Sequence, residues 1–236
     1  MSYTKGTSKI VTKGLVYHID IPNPLCYHID KCYSLIGSAI GKNNNIIKNS
    51  EGKGSINFNG FDSYISLNEK FKFTTKLSID IWIKPITNIS WGSSSLKNGK
   101  GHDYQRIIDK SKGNNALNGY SLIYHPPLNM IYYIVNNGIA KDMIGYKLPT
   151  IDKWVNIIVT KNDTKYNMYI NGVLVQQNTG KVNFSLENPN MRIGAYTQSQ
   201  ERNFKGQINN IKIYNTALNS KEVLLNYTAL KGRFIN

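Results

Sequence analysis

Hydrophobic and polar residues alternate with a period of two along almost the whole chain. Between Lys76 and Lys84, Leu77, Ile79, Ile81 and Ile83 fall on one side of an extended backbone, Ser78, Asp80, Trp82 and Lys84 fall on the other, and Pro85 follows. Successive side chains of a strand point to opposite faces, so the pattern predicts a strand with one buried face. Shorter runs of the same kind cover Gly14 to Asp20, Ser55 to Asn59, Tyr64 to Asn68, Gln105 to Asp109, Tyr120 to Tyr124, Met130 to Val135, Trp154 to Thr160 and Ile208 to Tyr214. Gly, Asn, Pro and Ser separate them, and many short strands between such turns predict a sandwich or a barrel.

Two local signals are sharper. Tyr166, Met168 and Ile170 alternate before Asn171-Gly172, and Val173 and Val175 alternate after it. Asn-Gly supplies the positive φ angles that a two-residue type I′ turn needs, so a hairpin is predicted there. From Ser220 to Leu230 the spacing is helical, with Asn219 as N-cap, Glu222 completing a capping box, and Val223, Leu224 and Tyr227 as the packing residues. Thr87 to Asp103, rich in Gly, Ser, Asn and Lys and carrying Trp91, is longer than an ordinary connection and so is either functional or mobile. A second polar connection runs from Ala195 to Asn203. Tyr-His-Ile-Asp at Tyr17 to Asp20 returns at Tyr27 to Asp30, which is too little for a repeat architecture.

Composition narrows the function classes. The 236 residues are 40% hydrophobic and 18% charged, which excludes a wholly disordered chain and suits one domain. No apolar run approaches the length that spans a bilayer, so a soluble protein with no membrane partner is expected. Met1 to Leu15 lacks the apolar stretch of a secretory signal, which predicts synthesis in a cytoplasm. The net charge of +15 invites a nucleic-acid partner, but only Arg106, Arg192, Arg202 and Arg233 are arginines and the lysines form no run. Abundant Lys, Asn and Ile fit AT-rich codons, so the charge is read as solubility and attraction to acidic surfaces, and nucleic acid is not the expected partner.

His18, Cys26, His28 and Cys32 are zinc-ligand types, but their spacing matches no standard zinc motif, and the two cysteines are expected as reduced thiols. Glycan binding calls for aromatic faces beside amides and carboxylates. Trp91, Tyr104 and Tyr196, with Asn98, Asp103 and Gln198, supply those types on connections that can converge at one rim. Trp91 would equally serve as an anchor for a neighbouring subunit, and Trp82 and Trp154 are read as structural.

Five blocks carry a family likeness: "SINFNGFDSYISL" from Ser55, "LSIDIWIKP" from Leu77, "DKWVNIIVTKNDTKYNMYINGVLV" from Asp152, "MRIGAYTQSQERNFKGQINNIKIYNTAL" from Met191 and "NSKEVLLNY" from Asn219. Their order resembles the concanavalin A-like and laminin G-like jelly rolls. The resemblance implies an all-β fold, an antiparallel two-sheet jelly-roll β-sandwich with one short C-terminal helix. The opening "IVTKGLVYHIDIPNPLCY", with Asp20, Asn23, Pro24 and Tyr27, is similar to laminin G-like proteins of bacteriophage particles.

That likeness implies a non-enzymatic virion protein, a capsid decoration, fibre or tail-associated subunit. It would be held by other virion proteins, homo-oligomeric in the particle, and in contact with host-surface glycans. The alternative is a free or cell-associated lectin module. Residues 1–13, with Lys5, Lys9 and Lys13, are read as an attachment arm, and residues 14–236 as a single domain. Related β-glucanases carry Glu-x-Asp-x-x-Glu on one strand, whereas Glu51, Glu69, Glu187, Glu201 and Glu222 stand apart here. A glycoside hydrolase is therefore set aside. Many relatives hold calcium; Asp62 matches an acidic family position, but Asn209 stands where relatives commonly carry Asp, so no metal or other cofactor is expected, with calcium near Asp62 and Asn209 the ion to test.

Overall fold

The structure is a computed structural model that describes residues 9–68, 71, 73, 75–86, 103–112, 119–183, 190–197 and 202–234. Among the described residues the strands form two sheets of eight, and the pairings between these strands are antiparallel. The first sheet runs β14 (Val173–Thr179), β13 (Lys165–Ile170), β12 (Val155–Asn162), β7 (Lys76–Pro85), β16 (Lys205–Tyr214), β5 (Ser55–Asn59) and β4 (Ile47–Asn49). Its remaining strand, β1 (Leu15–Asp20), pairs with the second half of β16. The second sheet runs β11 (Lys141–Lys147), β10 (Met130–Asn136), β9 (Gly119–His125), β8 (Gln105–Ser111), β15 (Arg192–Ile193), β6 (Tyr64–Leu67), β3 (Ile40–Asn44) and β2 (Lys31–Tyr33). The inward residues of both sheets, among them Ile79, Ile81, Ile83, Ile157, Leu122, Tyr133, Ile193 and Ile211, make one continuous core. This is the predicted two-sheet sandwich.

The hairpin forms as expected, with Asn171 at φ 51° and Gly172 at φ 80°, both in the left-handed region. The helix, α1, spans Ser220–Lys231 and carries the capping box: Asn219 accepts from the Lys221 and Glu222 amides, and Glu222 accepts from the Asn219 amide. Its packing face differs from the expected one. Val223 and Asn226 are buried, whereas Leu224 is 54% exposed and Tyr227 is partly buried. Asn226 takes an inward position because the surface beneath it is polar.

That surface is the outer face of the first sheet, and it corrects the one-sided reading of β7. Ser78, Asp80 and Trp82 are as buried as the isoleucines between them, because α1, the chain around Val11 and the C-terminal residues cover them. Asp80 and Lys212 form an ion pair at 3.2 Å with neither side chain exposed. Asn156 Nδ2 donates to Asp80 at 2.8 Å, and Asn226 Nδ2 donates to Asp80 at 2.9 Å and to the Tyr214 hydroxyl at 2.8 Å. Asn226 also accepts from the Val11 amide at 2.8 Å, and the Tyr214 hydroxyl donates to the Val11 carbonyl. Trp82 lies under Phe234, stacked at 4.2 Å, and beside Tyr227, while Trp154 packs on Phe234 at 4.8 Å, so both tryptophans are structural. Val11 is thus tied to the domain inside the segment read as an arm. Lys9 and Lys13 on either side of it are exposed, and Lys5 lies outside the described residues.

His18 belongs to the same face. Its Nε2 is 3.2 Å from Asn210 Nδ2, which also donates to Asp20 at 3.1 Å, and Arg233 bonds both Asp20 oxygens, one at 3.0 Å. Burial lowers the His18 pKa from 6.5 to about 4; Lys212 and Arg233 add to the lowering, and Asp20 and Asp80 oppose it. The unfolded chain therefore binds more protons than the folded one between those values, and stability rises with pH across that window. Stability is expected to drop by about 3 kcal/mol as pH falls through it, read from denaturant unfolding at a series of pH values. His18→Gln should flatten that segment of the profile.

Candidate functional site

α1 covers part of the outer face of the first sheet; on the outer face of the second sheet β8 and β9 are buried, and exposure lies toward the strands on either side of them. Strand register defines its rows. One row crosses all eight strands, pairing Lys31 with Lys42, Lys42 with Ser66, Ser66 with Arg192, Arg192 with Asp109, Asp109 with Ser121, Ser121 with Ile134 and Ile134 with Met143. A second row pairs Arg106 with Ile123, Tyr132 and Gly145 in turn. A register shift between Arg106 and Ile108 lets Ile107 join the core and keeps Arg106 and Asp109 on the outer face.

At one end of this face stands an aromatic corner. Tyr104, 47% exposed, meets the His125 ring edge-on at 4.7 Å and the Tyr132 ring at 6.4 Å. The Tyr132 ring lies against Gly145: a Cβ there would sit 2.5 Å from its Cδ1, so only glycine leaves room for this ring position. His125 is held in place by the Leu128 amide, which donates to its Nδ1.

The centre of the face is built on charge. Arg106 and Asp109 are both buried, with Nε 3.6 Å from the carboxylate. Burial lowers the Arg106 pKa, Asp109 opposes that, and Arg202 reinforces it. Asp109 accepts from the hydroxyls of Ser111, Ser121 and Thr197 and from the Thr197 amide at 3.0 Å. The Tyr196 ring lies 5.6 Å from the guanidiniums of Arg106 and of Arg202. Arg192 stacks 4.8 Å over Tyr64 and donates to the Tyr196 carbonyl at 2.9 Å. The segment Ala195 to Thr197 is thereby pinned as a cover over Asp109.

Of the residues the sequence singled out for binding, Tyr104 stands at the exposed corner of this face and Tyr196 is buried beside Arg106. Asp103 is exposed and precedes β8, so it does not share a strand face with Asp109. Trp91, Asn98 and Gln198 lie outside the described residues. Tyr132, His125 and the arginine cluster were not picked out from the sequence. The signal for Tyr132 would have been a glycine opposite an aromatic on the next strand, which needs the register to be seen.

The calcium candidates do not fit a cation. Asp62 accepts from Asn45 at 2.8 Å and from Asn59 at 2.7 Å, while Asn209 is buried, donates to the Gly52 and Gly54 carbonyls, and turns its Oδ1 toward Arg233 at 3.4 Å. A positive neighbour on the one free oxygen is the opposite of what a hard cation needs. Among the zinc-type residues, His18 bonds Asn210, His28 packs edge-on to Tyr33 at 5.2 Å, and Cys26 and Cys32 are buried free thiols. Burial pushes the Cys32 thiol up to about 12, away from a thiolate ligand.

Residues 58–224, the greater part of the chain, match the laminin G family described as "Concanavalin A-like lectin/glucanases superfamily". The chain belongs to this superfamily. No curated protein matches it. Among solved structures, this jelly roll is similar to the botulinum neurotoxin type G receptor binding domain, at 18% identity and TM-score 0.66 over 92% of this chain and 51% of that one. The botulinum neurotoxin serotype D binding domain is similar at 16% identity and TM-score 0.67, over 91% of this chain and 51% of that one. A serotype D ligand binding domain in complex with N-acetylneuraminic acid is similar at 15% and 0.64, over 91% and 50%. The chain spans about half the length of these structures, and at such identities the likeness is one of fold.

Thr197→Val keeps the shape of the cover and removes a hydroxyl from the buried Asp109. It is expected to destabilise the protein by about 1–3 kcal/mol, seen as a lower denaturant midpoint with an unchanged slope.

Proposed function

We propose that this protein is a non-catalytic jelly-roll binding domain that holds carbohydrate on the outer face of its second sheet, with Tyr104 and Tyr132 as the ring platforms. The observation that carries this is the aromatic corner itself. Two tyrosine rings, Tyr104 47% exposed and Tyr132 partly exposed, flank His125 on the outer face of the second sheet, and the Tyr132 ring rests on Gly145. Aromatic faces stack on the C–H surfaces of sugars, and the histidine between them suits a hydroxyl.

The described acids support binding without hydrolysis, because each buried one is committed to the fold. Asp80 is held by Lys212 and two asparagines, Asp109 by three hydroxyls, and Asp20 by Arg233, whose hydrogen bonds and charge keep Asp20 below its ordinary pKa against the effect of burial. A glycosidase needs one carboxyl free to give a proton and another free to attack or to activate water. One relative in fold, a botulinum neurotoxin serotype D ligand binding domain, forms a complex with N-acetylneuraminic acid, which supports a sugar ligand for this chain as well.

The setting we infer is a phage particle, where the protein would be a decoration, fibre or tail-associated subunit, homo-oligomeric and held by other virion proteins, with host glycans as its outward partner. The support is the likeness of residues 10–27 to the opening of laminin G-like virion proteins. Mass spectrometry of purified particles from the source tests the setting; absence of the polypeptide from them would overturn it. For the binding reading, Tyr104→Ala and Tyr132→Ala are each expected to weaken binding to oligosaccharides by up to about tenfold. An oligosaccharide array on which the wild type retains nothing would overturn it.

A further inference from the structure

We infer that this chain pairs with a second copy of itself along β14, edge to edge and antiparallel about a two-fold axis at Gln177. Such a pair is the contact of the homo-oligomer in the proposed function and rests on that part of the reading; the sugar-binding corner takes no part in it.

The backbone of β14 is open to a partner. An edge strand turns a row of N–H and C=O groups outward, a template for another chain. Among the described residues, the one hydrogen bond that β14 makes outside its pairing with β13 runs from the Thr179 amide to Asn178 Oδ1, at 2.8 Å. Six of its seven residues are exposed, and Val175 is partly so. A register shift between Leu174 and Gln176 bends the strand at Val175 and leaves Gln176 to Thr179 in unbroken pairing with β13.

Charge favours this edge over the others. A chain of net charge +15 repels its own copies, so two of them meet most readily where the facing strip bears no charge. β14, Val-Leu-Val-Gln-Gln-Asn-Thr, bears none. The other described edges are blunted by length, charge or cover. β2 and β4 are three residues long and carry Lys31 and Lys48. β11 has Lys141 and Lys147 at its ends, and antiparallel pairing about its middle residue would set them opposite each other twice. The free side of β1 is covered, because the Leu35 amide donates to the His18 carbonyl and the His18 amide donates to Ser34 Oγ.

Symmetry favours a second copy over an unrelated strand. In antiparallel pairing about a two-fold axis, the residue on the axis faces itself, and opposite residues share one face of the sheet. With Gln177 on the axis, Gln176 faces Asn178 of the second copy. A carboxamide both donates and accepts, so each of these pairs is complementary, and Gln177 is complementary to itself. Lys181, the next cation along the chain, stands opposite Val173 of the second copy in that register and away from its own kind.

Sedimentation of the full chain over a hundredfold range of concentration, up to about 1 mM, is the test. A monomer–dimer equilibrium is expected, with a dimer that strengthens as salt screens the net charge. Gln177→Lys sets two like charges face to face and should weaken the dimer about tenfold. Ile29→Lys adds the same charge at a 91% exposed position beside β2 and should leave the dimer unchanged. An equimolar mixture of Gln177→Lys and Gln177→Glu should form the dimer again, because residue 177 meets its own copy. A mixture that stays monomeric, or Ile29→Lys weakening the dimer as much as Gln177→Lys does, overturns the β14 contact. A dimer that survives Gln177→Lys overturns it too but leaves the homo-oligomer reading standing. A wild type that is monomeric at every concentration removes both, while the carbohydrate reading still stands or falls on the oligosaccharide array.

Discussion

The arrangement of the whole sandwich turns on a buried ion pair. Asp80 and Lys212 sit on neighbouring central strands of the first sheet, 3.2 Å apart and fully covered. Taking two charges out of water costs several kcal/mol for each, and their attraction repays this only if the remaining polar atoms are satisfied. Asn156 from β12 and Asn226 from α1 supply those hydrogen bonds to Asp80. Four elements are thereby locked at one point, and a slip of any of the three strands by one residue would turn its polar member into the hydrophobic core. We regard the pair as a device for register, consistent with its position at the middle of the sheet.

The same network decides where function can lie. A helix that buries an asparagine onto a polar sheet face is committed to that face, because leaving would take the Asn226 hydrogen bond from Asp80 and uncover the ion pair. Trp82, stacked under Phe234 and beside Tyr227, closes the lower part of the same surface. The two outer faces then differ: the centre of the first is covered by α1 and the C-terminal residues, and the second carries Tyr104 and Tyr132 at one partly exposed corner.

Much of the fold was legible because its signals are local. The Asn171-Gly172 turn, the Asn219 to Glu222 capping box and the alternating strands depend on neighbours in the chain, and each forms where the pattern places it. What the pattern missed follows from its own logic. Alternation reports which residues differ across a strand but not what lies over the polar side, so Ser78, Asp80 and Trp82 read as solvent-facing when a helix covers them. Strands of three residues, such as Lys31–Tyr33 and Ile47–Asn49, are too short to alternate. Bulges at Ile107 and Asn209 reset the phase in β8 and β16.

The site was less legible for a related reason. Tyr132 and Tyr133 are adjacent and of one type, yet Tyr133 is in the core while Tyr132 lies on the outer face against Gly145. Only the pairing with β9 and β11 separates their roles. Lys31 and Lys42 look like two scattered members of a lysine-rich composition until the hairpin between them sets them face to face. Net charge by itself argues for solubility and nothing more. The same charge placed by register sets two ammonium groups directly opposite each other, with the Asp30 carboxylate 3.9 Å from one of them to offset the repulsion.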